Sequence, residues 1–439
     1  MPSNTATGKG AHWLRHRLVK NTAALLVVQI STYVAPFLVL PYLSRVLTTE
    51  HFGLLAYATA FNWYFITLVE YGFNLTATRR ISINSENPEK LSQIFSSVMA
   101  AKALLTVLGF LIMLGLVLAT PKLRPYLLLF SISYLAVLGD LLFPLWLFQG
   151  LQKMGNLVWR DLSSRIVSLL LIFAFVRHDK DYLWAAVFQA GSPVLSGIAG
   201  LVAVRLRTPV RFVVPKIREV FSALVEGWPV FLSMAAMTLS TVTNTMLLGL
   251  RSGPKEVAYF SAASRLVVAM RMLVTPVVTA IYPHMSRMAV NSRNEAIRLL
   301  RVHAWKIAIP FFLASLCLLL SAPLVIRIMY SAKYSPSIPL LQVMAFTVFL
   351  LALQHVYSTF FMLAFGYEKE WSRVIISASA LNFVVLIPLI FIIWPPMAAS
   401  VSTLAVEIFS TATTYIFFRR KTKQLAILPD SAALSGRQL

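Results

Sequence analysis

Two arginines, Arg265 and Arg271, stand inside an otherwise apolar stretch from Tyr259 to Pro283, YFSAASRLVVAMRMLVTPVVTAIYP. The stretch is long enough to cross a bilayer, which takes about 20 residues. An arginine near a membrane centre costs at least ~2.5–3.5 kcal/mol, so it ordinarily faces a water-filled cavity or an anionic partner. No aspartate or glutamate lies between Glu256 and Glu295. Guanidinium grips phosphate oxygens as a planar fork. Six residues apart, the two arginines are about 120° apart around a helix, so they suit a broad cavity rather than one narrow face. The pair points to a membrane cavity that admits a negatively charged solute.

Other charges fall within apolar segments. Lys102 and Arg165 would add positive potential, and with Asn244 they join Arg265 and Arg271 as candidate substrate-binding residues. Asp140 and Glu407 fall near mid-membrane, Glu70 nearer an edge, and Asp161 four residues before Arg165. A carboxylate out of water can carry a proton or pair with an interior base, so these four acids are candidate coupling residues. The spacing of Asp161 and Arg165 also predicts a local ion pair. Thr238, Ser240, Thr241, Thr243, Asn244 and Thr245 could bind sugar hydroxyls or their own helix backbone. Trp63, Tyr64, Tyr71 and Trp146 could stack on sugars or form interfacial belts. No nucleotide-binding loop, metal-ligand spacing or nucleophile–base pair is present, so no catalytic residue, metal or cofactor is expected. No helix clusters acids for Na⁺, which favours H⁺ as the coupling ion.

These residues need helices to hold them. The chain has 439 residues, 58% hydrophobic and 13% charged, with mean hydropathy +0.75; soluble domains carry about 25% charged residues. Apolar runs recur from end to end, while the ~10-residue alternation of a membrane barrel is absent. The expectation is an all-α polytopic membrane protein of twelve spans: 20–47, 51–72, 92–119, 125–149, 154–176, 182–204, 220–250, 256–288, 302–330, 337–365, 370–394 and 397–418. The net charge of +23 falls mostly in the tails and alternate loops. The positive-inside rule explains it without nucleic acid and places both termini in the cytoplasm. Cys317 is the one cysteine, so no intrachain disulfide forms. No removed signal peptide is expected, because the first apolar run is long and lacks a small-residue cleavage site.

The chain divides into a basic tail (1–19), a six-span N-lobe (20–204), a cytoplasmic linker (205–219), a six-span C-lobe (220–418) and a second cytoplasmic tail (419–439). An internal repeat supports the halves: Arg45 precedes Glu50 as Arg251 precedes Glu256, an offset of 206. Duplicated halves with a site between them recur in transporters. Prolines such as Pro144, Pro193, Pro276 and Pro283 punctuate the spans and can kink them. Ser192, Ser196 and Gly200 form a small-residue stripe suited to close helix packing.

Several ordered segments resemble the polysaccharide/O-antigen flippase family of the MOP transporter superfamily. They are LPYLSRVLTTEHFGLLAYA (40–58), VEYGFNLTATRRIS (69–82), FPLWLFQGLQKM (143–154), TNTMLLGLRSGPKEVAYFSAASRL (243–266) and YPHMSRM (282–288). Ala258 departs from the pattern, where the family often has glycine. The resemblance implies two pseudo-symmetric six-helix lobes in a V shape that work by alternating access in the bacterial inner membrane. The implied cargo is an undecaprenyl-pyrophosphate-linked oligosaccharide, an O-antigen or exopolysaccharide repeat unit. Implied partners are the lipid bilayer, a coupling ion (H⁺ or Na⁺), and a glycan polymerase with its chain-length machinery. A MATE-like or other small-solute exporter is the alternative, though a cationic-drug exporter should favour interior acids. A membrane glycan polymerase or ligase fits less well, because the outer loops are too short for a catalytic domain.

Overall fold

The computed structural model describes residues 38–427. Among them there is no strand, and ten helical stretches are long and apolar enough to cross a membrane. The protein is an all-α, multi-pass membrane protein. Its first expected span, 20–47, lies mostly outside the described residues. The fifth is a 21-residue helix that carries Arg160, Asp161 and Arg165 and is not among the ten.

The chain enters through a helical segment at 38–46 (α1) and turns into α2 (Thr49–Glu70). The Thr48 hydroxyl caps α2 by accepting the His51 N–H at 3.2 Å, which satisfies one of the open donors at a helix start. Tyr71 and Gly72 both take left-handed backbone angles and start α3 (Phe73–Ile83). The Asn87 side chain accepts the Glu89 and Lys90 N–H groups to cap α4 (Pro88–Ala119), with Pro88 at the first position. There proline lacks only a donor that would be unpaired anyway.

The segment expected as one span at 125–149 is three helices, α5 (Leu127–Ser133), α6 (Leu135–Leu142) and α7 (Leu145–Gly150). Pro144 accounts for the last break, because it has no N–H for the turn before it. Then come α8 (Gly155–Phe175), α9 (Tyr182–Arg207) and the long α10 (Ile217–Ser252). The span expected at 256–288 breaks at Leu273 into α11 (Pro254–Met272) and α12 (Val274–Asn291). Pro276 can neither donate to the Met272 carbonyl nor sit against it, so the break falls there. The chain finishes with α13 (Arg293–Tyr330), α14 (Ser337–Tyr357), α15 (Glu368–Ile392) and α16 (Pro395–Ile427). A π-helical turn, Ser358–Leu363, prolongs α14.

The described residues fall into two compact units that part between Met246 and Leu247, inside α10. In the first, α9 packs against α6 and α8. Small residues permit this: a Cβ on Gly139 would collide with Pro193, and one on Gly197 with Leu142. In the second, α14 packs against α13 and α16 over a buried aromatic cluster of Tyr357, Phe360, Phe361 and Phe418.

The duplicated Arg/Glu spacing has a structural reason. Arg45 and Arg251 lie in the last turns of α1 and α10, and Glu50 and Glu256 in the first turns of α2 and α11. Each charge suits the helix dipole at its end.

Candidate functional site

Within the first unit, Lys102 on α4 is wholly buried. Its ammonium donates to the Asp140 carbonyl at 2.6 Å and lies 3.0 Å from Asp140 Oδ2. The well-aligned hydrogen bond goes to the carbonyl, and charge alone holds the carboxylate. Asp140 sits near the end of α6, three residues before Phe143 and Pro144 interrupt the helix. Glu70, at the end of α2, lies within electrostatic reach of both Asp140 and Lys102. It accepts a hydrogen bond from Asn74 of α3 at 2.5 Å. The left-handed Tyr71–Gly72 turn makes that meeting possible. One buried cation therefore serves two carboxylates from different helices.

A second pair lies on α8. Arg165 donates to Asp161 Oδ2 at 2.8 Å, as the spacing predicts, and Ser196 of α9 donates to Asp161 Oδ1 at 3.0 Å. Ser196 belongs to the small-residue stripe, which thus supplies a hydrogen bond as well as close packing. Asn244 is buried on α10.

In the second unit, Arg271 donates to Glu407 of α16. The α11–α12 break places Arg271 in the last turn of α11. His355, on α14, lies within electrostatic reach of Arg271 and contacts the Thr359 hydroxyl at 2.9 Å, inside the π-helical turn. Such turns recur at functional positions. Arg265 is half-buried and interacts with Tyr330 and Tyr334. No group of three or more His, Cys, Asp or Glu side chains suited to a metal occurs among the described residues.

The aromatic candidates divide. Trp146 is fully buried, so it packs rather than meeting a sugar. Tyr71 stacks on Phe231 of α10, ring centres 4.7 Å apart and planes 10° apart. Tyr64 hydrogen-bonds Thr243 at 3.1 Å, and Trp63 is exposed. Sequence reasoning missed His355 and Asn74. A histidine interrupting an apolar helix was the available signal for the first, and the i, i+4 spacing from Glu70 was the signal for the second.

These arrangements can exchange partners. A buried ion pair costs several kcal/mol of desolvation per ion, which mutual attraction only roughly offsets. A proton on the carboxylate frees the cation, and an arriving anion can take its place. Ionisable residues within membrane-spanning helices commonly mark substrate or ion pathways and proton relays.

The overall likeness is to transporters too. The fold matches a multidrug resistance MATE family transporter of the MOP superfamily, solved in an inward-facing conformation, with TM-score 0.68 and 14% identity over 92% of this chain and 99% of that one. It also matches the lipid II flippase MurJ in an inward closed conformation, with TM-score 0.67 and 14% identity over 90% and 87%. In sequence, residues 18–289 match the family described as polysaccharide biosynthesis protein. The chain is 32% identical over 402 residues to a candidate O-antigen transporter of Escherichia coli (strain K12), covering 92% of this chain and 97% of that protein. It is 30% identical over 374 residues to one of Shigella dysenteriae, covering 85% and 93%. The chain belongs to the polysaccharide biosynthesis protein family.

Proposed function

We propose that this protein is a flippase for an undecaprenyl-pyrophosphate-linked oligosaccharide, an O-antigen or exopolysaccharide repeat unit. It works in the bacterial inner membrane with both termini in the cytoplasm. The observation that carries the reading is Arg271, a cation within a membrane-spanning stretch that pairs with Glu407 of α16. The cargo diphosphate would take the place of Glu407, while the prenyl tail stays in lipid. Arg265, Arg165, Lys102 and Asn244 would supply further contacts or positive potential. Translocation makes and breaks no covalent bond. The relatives' description as O-antigen transporters supports the cargo class.

Glu407, Asp140, Glu70 and Asp161 are the proposed coupling acids. A proton on Glu407 would release Arg271, so proton uptake and diphosphate binding would favour each other. The delivered unit would pass to a glycan polymerase and its chain-length machinery.

The proposed moving lobes are 20–204 and 220–418, joined by 205–219. On that division, contacts from α2 and α3 to α10 must part as the lobes rock. They include Tyr64–Thr243, Thr67–Thr238 at 2.9 Å, and Arg80–Glu226 at 3.7 Å. Gly72 and Gly227 bring the backbones together there: a Cβ on Gly227 would lie 2.8 Å from Tyr71, and one on Gly72 would collide with Val230.

The test is surface glycan in a strain lacking its own flippase. Wild-type protein should restore glycan and clear the lipid-linked intermediate. A well-inserted protein that leaves the intermediate on the cytoplasmic leaflet would overturn the assignment. For orientation, single cysteines at 205–219 and 288–301 in a Cys317→Ser background should resist an impermeant thiol reagent in intact cells. Labelling of both segments from outside would reverse the topology.

A further inference from the structure

A cavity of about 670 Å³ lies in the second unit among α13, α14 and α16. Three cations line it, Arg301, Arg419 and Lys423, and no carboxylate does. All three are exposed. Trp305, Tyr357 and Tyr415 stand next to them, and Arg419 lies over the Tyr415 ring, 5.9 Å from its centre. Deeper along the wall come Leu350, Leu353 and Ile408.

The helices explain the gradient. α13 starts at this end of the unit, whereas α14 and α16 finish there. On α16 the lining residues recur every three or four positions from Ile408 to Lys423, forming one face about 22 Å long. That face passes from apolar through aromatic to basic. The basic end is the one that loop charge places at the cytoplasmic surface.

We propose that this cavity binds an anionic membrane phospholipid, with its phosphate held by Arg301, Arg419 and Lys423 and an acyl chain lying along the α14–α16 wall. Two arginines and a lysine without an acid complement a phosphodiester, and arginine holds it by a planar fork. Tryptophan and tyrosine at the foot of the cations suit the boundary between headgroup and hydrocarbon. A soluble phosphate would have no use for the long apolar wall. Neither Arg271 nor Glu407 lines this cavity, and the proposal does not depend on the cargo assigned to that pair.

Native mass spectrometry of the full chain in detergent tests the proposal. Phosphatidylglycerol and phosphatidylcholine with the same acyl chains are the probes, with glycerol phosphate as free competitor. Wild-type protein should retain phosphatidylglycerol over phosphatidylcholine. The Arg301→Gln/Arg419→Gln/Lys423→Gln variant should lose that retention by about tenfold or more, in keeping with what cations near an anionic bilayer contribute. Because all three side chains are exposed, the variant should fold, and unchanged phosphatidylcholine retention confirms it. Arg271→Gln should retain phosphatidylglycerol like the wild type. Equal retention of the two lipids, or of phosphatidylglycerol by the triple variant, would overturn the site. So would displacement by glycerol phosphate, which would mark a free-anion site, or loss in Arg271→Gln, which would place the lipid elsewhere.

Discussion

Both units bury a basic side chain against a carboxylate, but they mount it on different helices. In the first unit, Lys102 stands within α4, an uninterrupted helix of 32 residues, and is 3% exposed. In the second, Arg271 stands at the end of a helix broken by Pro276, beside a π-helical turn, and its side chain is 26% exposed. A cation fixed in a continuous helix and bonded to a backbone carbonyl has little freedom to change partners. A cation at a break, bonded only to a side chain, has much more. On the proposed function, Lys102 would hold the fold and Arg271 would exchange ligands. Substitutions in both units separate those roles.

The largest effect belongs to Lys102→Ala. It strands Asp140, itself 28% exposed, without its buried cation and leaves Glu70 nearby. Breaking a buried pair costs roughly 3–5 kcal/mol, so folded protein in the membrane should fall sharply. Lys102→Met with Asp140→Leu removes both charges and should recover most of that level. Normal yield of Lys102→Ala would show that the pair is not structural and would erase the contrast between the units.

Arg271→Ala comes next and should act on transport. Surface glycan should drop more than about tenfold, and Arg271→Lys should restore only part of it, because ammonium lacks the planar fork. Arg265→Ala should weaken export less. Loss of Arg271 also strands Glu407, so the neutral pair Arg271→Gln/Glu407→Gln provides the sharper test. If Arg271 serves only to neutralise Glu407, the double variant exports normally. If Arg271 holds the diphosphate, the double variant reaches the membrane and still fails. Glu407→Gln alone should keep export while losing its dependence on the pH gradient. Full gradient dependence in that variant, and in Asp140→Asn, would remove both acids from coupling.

Much of this architecture was legible in the chain because bilayer crossing imposes long apolar runs, and their order carries into the structure, where ten of the twelve expected stretches qualify as spans among the described residues. The helix breaks were only half legible. Pro144 and Pro276 are visible as residues, but Pro193 and Pro283 lie within unbroken α9 and α12, and which prolines interrupt a helix depends on neighbours. Among the charges, Asp161 with Arg165 could be read from spacing because both sit on one helix. Lys102 with Asp140, and Arg271 with Glu407, join helices 38 and 136 residues apart, and no local pattern specifies such pairs. His355 escaped notice because its importance lies in facing Arg271. The α13–α16 cavity escaped because its cations belong to two helices and read singly as ordinary loop-end charges.

The smallest effect should come from Arg165→Ala, and it marks where the comparison stops. Arg165 pairs with Asp161 within one helix and its side chain is 28% exposed, so water and the local geometry share the load. Pairs at this spacing on exposed helices are worth about 0.2–0.5 kcal/mol. Asp161 also keeps its bond from Ser196 when the arginine is gone. Membrane levels should therefore stay near wild type, and export should fall no more than about twofold if Arg165 contributes only distant positive potential. Adding Ser196→Ala removes the second support, leaves a buried carboxylate with neither partner, and should cost more than the two single changes together. Simple additivity would show that the carboxylate is already solvated, and a large loss of export from Arg165→Ala alone would move Arg165 into the cargo site beside Arg271.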